Sequence, residues 1–290
     1  MYSIKIRTEA VFINRMLFSC YGANFDGYNL LHDIVDETKE YGAGIELTVF
    51  SKVSRRPDHI WGLMKEIIPF KDTYITFHGP YYEVEAASEE GSEQNEYFFE
   101  SYRQAFGLYH AFQAHSLVAH TNQFAFEESQ KQHMLSNSLQ TMKRLSTMAK
   151  QANINLLIEN VGEPAHQNVL YDQKTFIELF RALPESAGAL IDIGHAIAND
   201  WDIFEVIEAL GDRIRGYHIH NNDGTKDQHL PLFTPNLKYS CKEIERLLRY
   251  MEEKTPKSEW VLEYAPGKHI TPKAIKRDME KIIKCLSKWV

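Results

Sequence analysis

The stretch GYHIHNNDGTKDQHLPL (Gly216–Leu232) crowds His218, His220, Asp223, Asp227 and His229 into one short run. Crowded imidazoles are usually neutral, and neutral imidazole is a common metal ligand. The alternative is a plain polar loop. Three carboxylates elsewhere bear on the choice: Glu159 follows NLLI, Asp192 follows ALI and Glu263 follows WVL, so each is drawn inward by an apolar run. A carboxylate is almost never fully buried unless it is paired or bound to a metal. Further imidazoles close similar runs: His78 in FHGPY, His120 in VAHT, and His195 in DIGH just beyond Asp192. Any one such histidine is more often structural than a ligand. Their joint occurrence argues for a site, because accidents would scatter these groups along the chain. Two Glu, one Asp and at least one His make an oxygen-rich set with nitrogen, suited to Zn²⁺, Mn²⁺, Mg²⁺ or Co²⁺.

The elements that would gather these groups are eight short β-rich runs. They are Met16–Gly22, Gly44–Phe50, Thr73–Gly79, Ser116–Thr121, Asn153–Val161, Gly188–Ala196, Ile214–His220 and Glu259–Ala265. Several are nearly continuous in apolar residues, as parallel strands covered on both faces are. Amphipathic segments lie between them, with Leu30, Leu31, Ile34 and Val35 on one stripe and Leu139, Met142, Leu145 and Met148 on another. EIERLLRYMEE and AIKRDMEKIIKCLSKW continue the habit, and YFFESYRQAFGLYHAF reads as a helix packed on the strands. Eight strands alternating with helices over this length is an α/β chain folded as a (β/α)8 TIM barrel. A doubly wound sheet is the rival, but no Gly-rich phosphate turn follows the first strand.

The C-terminal strand ends of such a barrel converge on one mouth. The third to eighth strands would therefore aim His78, His120, Glu159, Asp192 with His195, His218 with His220, and Glu263 at one place. Glu46, in GIEL on the second strand, is expected to point into the barrel. Tyr81, Tyr82 and Phe50 are expected at the mouth. Trp61, Trp201, Trp260 and Trp289 read as packing.

No Pro/Gly/Ser linker divides the 290 residues, so one domain, 1–290, is expected, with Glu83–Glu96 an exposed insertion or lid. A net charge of −8 at pH 7 offers no long-range attraction to phosphodiester backbones. The basic cluster Ser51–His59 reads as a solvated loop. Cys20, Cys241 and Cys285 suggest neither a disulfide framework nor a cysteine zinc site. No apolar run approaches the roughly 18 residues of a membrane span, and the N-terminus lacks an apolar signal core. The expectation is a cytoplasmic protein, with a homodimer the default assembly.

Taken in order, HGPY, IENVGE, DIGH, HIHNNDG, DQHLP and LEY resemble the xylose-isomerase-like TIM-barrel superfamily over about Met16 to Trp289. That group holds sugar-phosphate isomerases and epimerases and also the endonuclease IV family. The resemblance to the epimerases implies one metal bound by Glu159, Asp192, His218 and Glu263, with His220 the alternative ligand if the register slips. The superfamily's habit of an acidic residue on the second strand implies that Glu46 is a support or a substrate contact. It implies a sugar, sugar phosphate or related polyol or keto acid as substrate, isomerised or epimerised through a metal-bound enediolate with Glu159 and Glu263 as the proton carriers. The resemblance to endonuclease IV implies up to three zincs, with His78, His120, His195, Asp227 and His229 as added ligands, and a phosphodiesterase acting on DNA. Two departures stand out. PLFTPNLKYS replaces the Gly-Glu-Gly turn common after this histidine, and TNQ replaces the Pro-Gly of the endonucleases after His120. On balance the sequence is read as a metal-dependent isomerase or epimerase of a small sugar-like molecule, with one ion per chain.

Overall fold

The computed structural model describes residues 16–20, 25–48, 68–70, 72–265 and 270–287. Phe50, Trp61, Trp289 and the basic run Ser51–His59 lie outside the described residues. Eight parallel strands close into a barrel in chain order. They are β1 Met16–Cys20, β2 Gly44–Thr48, β3 Ile75–His78, β4 Leu117–His120, β5 Leu156–Glu159, β6 Gly188–Asp192, β7 Ile214–Ile219 and β8 Glu259–Tyr264. Outside them run α1 Phe25–Thr38, α2 Glu93–Ala111, α3 Lys131–Gln151, α4 Gln173–Ala182, α5 Ile193–Ala198, α6 Ile203–Leu210, α7 Cys241–Lys254 and α8 Pro272–Ser287. The chain is a single-domain TIM barrel. Among the described residues no helix is long and apolar enough to cross a membrane.

All eight expected strands are present, and local geometry explains the bounds of the fifth and sixth. Asn153 takes φ 54° where α3 ends, so β5 starts at Leu156 rather than at Asn153. The sixth run stops being a strand at Asp192, not at Ala196. The carboxylate of Asp192 accepts from the His195 N–H at 2.6 Å and caps α5, which starts at the next residue. Strands β3, β4, β5 and β6 thus end on His78, His120, Glu159 and Asp192.

Alternation along the strands explains where these groups point. Val118, Leu157 and Leu190 form a small apolar cluster of their own, separate from the main core between strands and helices. Two residues further along each strand, on the same face, stand His120, Glu159 and Asp192. Register aligns them, since His120 pairs with Glu159 and Asp192 with His218. An apolar plug therefore lies beneath a polar layer at the C-terminal mouth.

The helices bury the stripes read from the sequence, among them Leu31 and Ile34 on α1, Met142 and Leu145 on α3, and Ile244, Leu247 and Met251 on α7. Trp201 and Trp260 are buried. In the segment 83–96, residues 84–87 are buried and Glu93 opens α2, so the segment is not wholly exposed; its longest exposed stretch is residues 89–91, with Glu83, Glu93 and Glu96 exposed as well. Burial there is set by Glu85, whose carboxylate accepts from the N–H groups of Ala87 (2.7 Å), Gln123 (2.9 Å) and Phe124 (2.7 Å).

Candidate metal centre

His218 lies at the centre of the mouth, fully buried. Its Nδ1 is 3.2 Å from Glu159 Oε1, 3.0 Å from Glu263 Oε2 and 3.8 Å from Asp192 Oδ2. Behind it, Nε2 faces Glu46 Oε1 at 2.9 Å, and Glu46 Oε2 accepts from the Thr76 hydroxyl at 3.1 Å. Glu46 thus backs the imidazole and does not line the cavity, unlike the substrate contact the sequence allowed. A carboxylate in that position favours the tautomer that leaves Nδ1 free to ligate. Glu159, Asp192, His218 and Glu263 make up the first ligand group: Glu159 and Asp192 meet His218 in one set of ligand atoms, and Glu263 meets it with His78 in another.

Glu159 serves two groups. Its Oε2 makes no aligned hydrogen bond among the described residues, though fully buried, and faces His120 Nε2 at 3.2 Å and His78 Nε2 at 3.5 Å. Those two nitrogens are themselves 3.1 Å apart. His78, His120 and Glu159 form the second group. The third is His195, Asp227 and His229. Here Asp227 Oδ2 receives both Nε2 atoms, at 3.1 Å from His195 and 2.8 Å from His229.

The outer imidazoles are all turned the same way. Nδ1 meets a carbonyl oxygen in each: Gly79 O for His78 (3.0 Å), Gln123 Oε1 for His120 (3.1 Å), Asn160 O for His195 (2.9 Å) and Glu263 O for His229 (3.2 Å). A carbonyl can only accept, so each Nδ1 carries its proton and each Nε2 can offer a lone pair to the cavity. Opposed lone pairs such as those of His78 and His120 need a cation or a proton between them. The donor set fits divalent ions of the zinc or manganese type.

His220 falls elsewhere. Its Nε2 lies 3.0 Å from Asp192 Oδ1, and its ring stacks on His229 with centroids 4.0 Å apart. It comes within ligand range of His229 and Glu263, whereas His218 is the imidazole set among Glu159, Asp192 and Glu263.

Burial disfavours charge on Glu159, Glu263, Asp227, His78, His195, His218 and His229, and mutual attraction overrides it. The Glu159 carboxyl is held well below the usual range because His218 and His120 outweigh its desolvation. Glu263 is lowered against its burial chiefly by His218, and Asp227 chiefly by His195. Conversely, the carboxylates lift His78, His195 and His218 against desolvation, and Asp227 pushes His229 up to about 9. The pocket is tuned to hold positive charge.

A cavity of about 130 Å³ opens above the groups. His78, Tyr81, His120, Glu159, His195, Asp227, His229 and Glu263 line it, so Tyr81 stands at the mouth as expected, its ring 5.1 Å from that of His78. Also lining it are Gln123, Glu163, His166 and Asn168, which sequence reasoning missed. Asn160 was missed too; its amide exchanges hydrogen bonds with the Asp192 backbone at 2.8 and 3.1 Å. The motif IENVGE held part of that signal, because Asn160 and Glu163 flank the ligand-bearing strand end.

A family model described as xylose isomerase-like TIM barrel matches residues 35–285. No curated protein matches the sequence. Among solved structures, a D-tagatose 3-epimerase-like protein superposes with a TM-score of 0.74 at 17% identity, covering 94% of this chain and 98% of that one. The IOLI protein with a bound zinc atom gives 0.70 at 14% identity, covering 95% and 99%. An AP endonuclease of family 2 from Brucella melitensis gives 0.62 at 14%, covering 91% and 97%. At these identities the likeness establishes the fold.

Proposed function

The chain belongs to the xylose isomerase-like TIM-barrel family, and from that premise we propose a divalent-metal-dependent isomerase or epimerase of a sugar, sugar phosphate or related polyol or keto acid. The observation that carries this reading is the setting of His218 Nδ1, flanked at 3.2 and 3.0 Å by Glu159 and Glu263. An ion held by Glu159, Asp192, His218 and Glu263 supplies Lewis acidity to neighbouring carbonyl and hydroxyl oxygens of a substrate. Glu159 and Glu263 come from β5 and β8 and reach His218 from different sides. One can take a proton from the carbon beside the carbonyl while the other returns it. Their imidazole neighbours favour the ionised form, the state needed by whichever takes the proton; the one that returns a proton must start the step protonated. His195 and His229 line the cavity and suit substrate hydroxyls. The epimerase-like neighbour of the same fold agrees with this class.

A second reading, a multi-zinc phosphodiesterase like endonuclease IV, is favoured by one feature. The second and third ligand groups exceed what proton transfer at carbon needs. Against it, the described residues lining the cavity include no lysine or arginine, and the chain is acidic. The test is deuterium incorporation at carbon, followed by NMR in D₂O, for metal-loaded protein with a panel of ketoses, aldoses and their phosphates. Exchange that disappears in Glu159→Gln and Glu263→Gln supports the isomerase. No exchange across the panel, with cleavage of an abasic-site duplex, overturns it in favour of the hydrolase.

A further inference from the structure

The loops behind the second and third groups are laced together through one amide. Asn168 Nδ2 donates to the Gln123 carbonyl at 3.2 Å, its Oδ1 accepts from the Glu163 N–H at 2.9 Å, and its main-chain oxygen accepts from Asn122 Nδ2 at 2.8 Å. Each tie leads to a ligand group. Gln123 Oε1 holds Nδ1 of His120 in the second group. Glu163 Oε2 accepts from the backbone N–H of Asp227 in the third. Glu85 pins Gln123 from the far side, and Gly162 permits the close crossing, since a Cβ there would stand 2.5 Å from the Asn168 oxygen. The first group is supported by its strand ends, by Glu46 and by the side chain of Asn160, whose main-chain oxygen also meets His195 of the third.

We propose that Asn168 is a positioning residue that holds the second and third groups in place as one unit, so that the ions they take are gained and lost together. This rests on reading the cavity as a metal centre. It adds that the first group, which meets the second at Glu159, draws its own support from the strand ends and not from Asn168.

The test is zinc titration of the metal-stripped full chain against a chromophoric chelator, with elemental counts of the bound ions. Wild type is expected to hold more than one ion. Asn168→Ala should keep one at wild-type affinity and bind the others about 10- to 100-fold more weakly, the range for losing a support of metal ligands. Asn168→Asp keeps an acceptor for the Glu163 N–H but loses the donor to Gln123 O, so it should weaken the second and third groups together; it carries the test if the alanine variant does not fold, and loss confined to one group overturns the proposal. Unchanged stoichiometry and affinity in both variants, or loss of every ion from a folded variant, overturns the proposal. A wild type that binds a single ion also overturns it, yet leaves the isomerase reading standing. Only a chain that binds no ion sinks both.

Discussion

The two oxygens of Glu159 face different partners, Oε1 towards His218 and Oε2 towards His78 and His120. An amide at that position puts an N–H₂ where an acceptor is needed on one side or the other. Glu159→Gln is therefore expected to lower kcat/KM by about 10²- to 10⁴-fold, the usual worth of a general base, while circular dichroism stays native. Glu46→Gln acts one step back. It keeps the packing behind His218 but weakens the anion that sets its tautomer, so metal affinity should fall about 10- to 100-fold; unchanged affinity would remove Glu46 from the site. Glu159, Asp192 and Glu263 were legible in sequence, because a charge straight after an apolar run has a physical cost that demands a partner. His218 and His220 were not separable. They are two residues apart, one inside the run read as a strand and one at its end, where alternation puts both on one face, and only their partners in the folded mouth set them apart. Glu163 and Asn168 carry no such mark, since polar residues in loops are ordinary.

Strand β6 turning into α5 shows how closely local structure and site are joined. Asp192 caps the helix, and Gly194 in its first turn packs on the His220 ring, where a Cβ would come 1.7 Å from Cε1. That ring is buried and stacked on His229, so it cannot yield freely. Gly194→Ala should cost about 1–3 kcal/mol by overpacking, read in thermal melts, and should disturb the third group with it. At the opposite end of the barrel, Glu259 is buried and accepts from Tyr74 (2.5 Å) and Ser116 (2.6 Å). Burial raises its pKa despite those donors. A carboxyl raised on folding contributes stability that is fully present below its unfolded value, near 4.3, and lost as the pH rises through the folded one. The stability of wild type relative to Glu259→Gln should accordingly fall as the pH climbs from about 4 towards neutrality. A pH-independent difference would show that Glu259 is not titrating as its burial implies.

The barrel mouth gathers the buried carboxylates Glu46, Glu159, Glu163, Asp192 and Glu263, with imidazoles as their neighbours. Removing bound ions leaves protonated histidines as the main compensation for that charge. Metal stripping should therefore lower the melting temperature, since each site occupied at a hundredfold excess over its Kd adds about 2.7 kcal/mol; identical melts with and without chelator would deny the ions any such role. The strand count, their order and the inward-facing set of chemical groups could be read from the chain, because apolar runs and alternation are local properties of adjacent residues. The sharing of the groups among three clusters could not. It depends on how closure and register bring β3 beside β4 and β5, and β6 beside β7 and β8. The loop ties through Glu85, Gln123, Glu163 and Asn168 depend on it as well. Distances of 3 Å between residues 40 or more positions apart arise only when the ring of strands is complete, and periodicity within one strand holds no information about them.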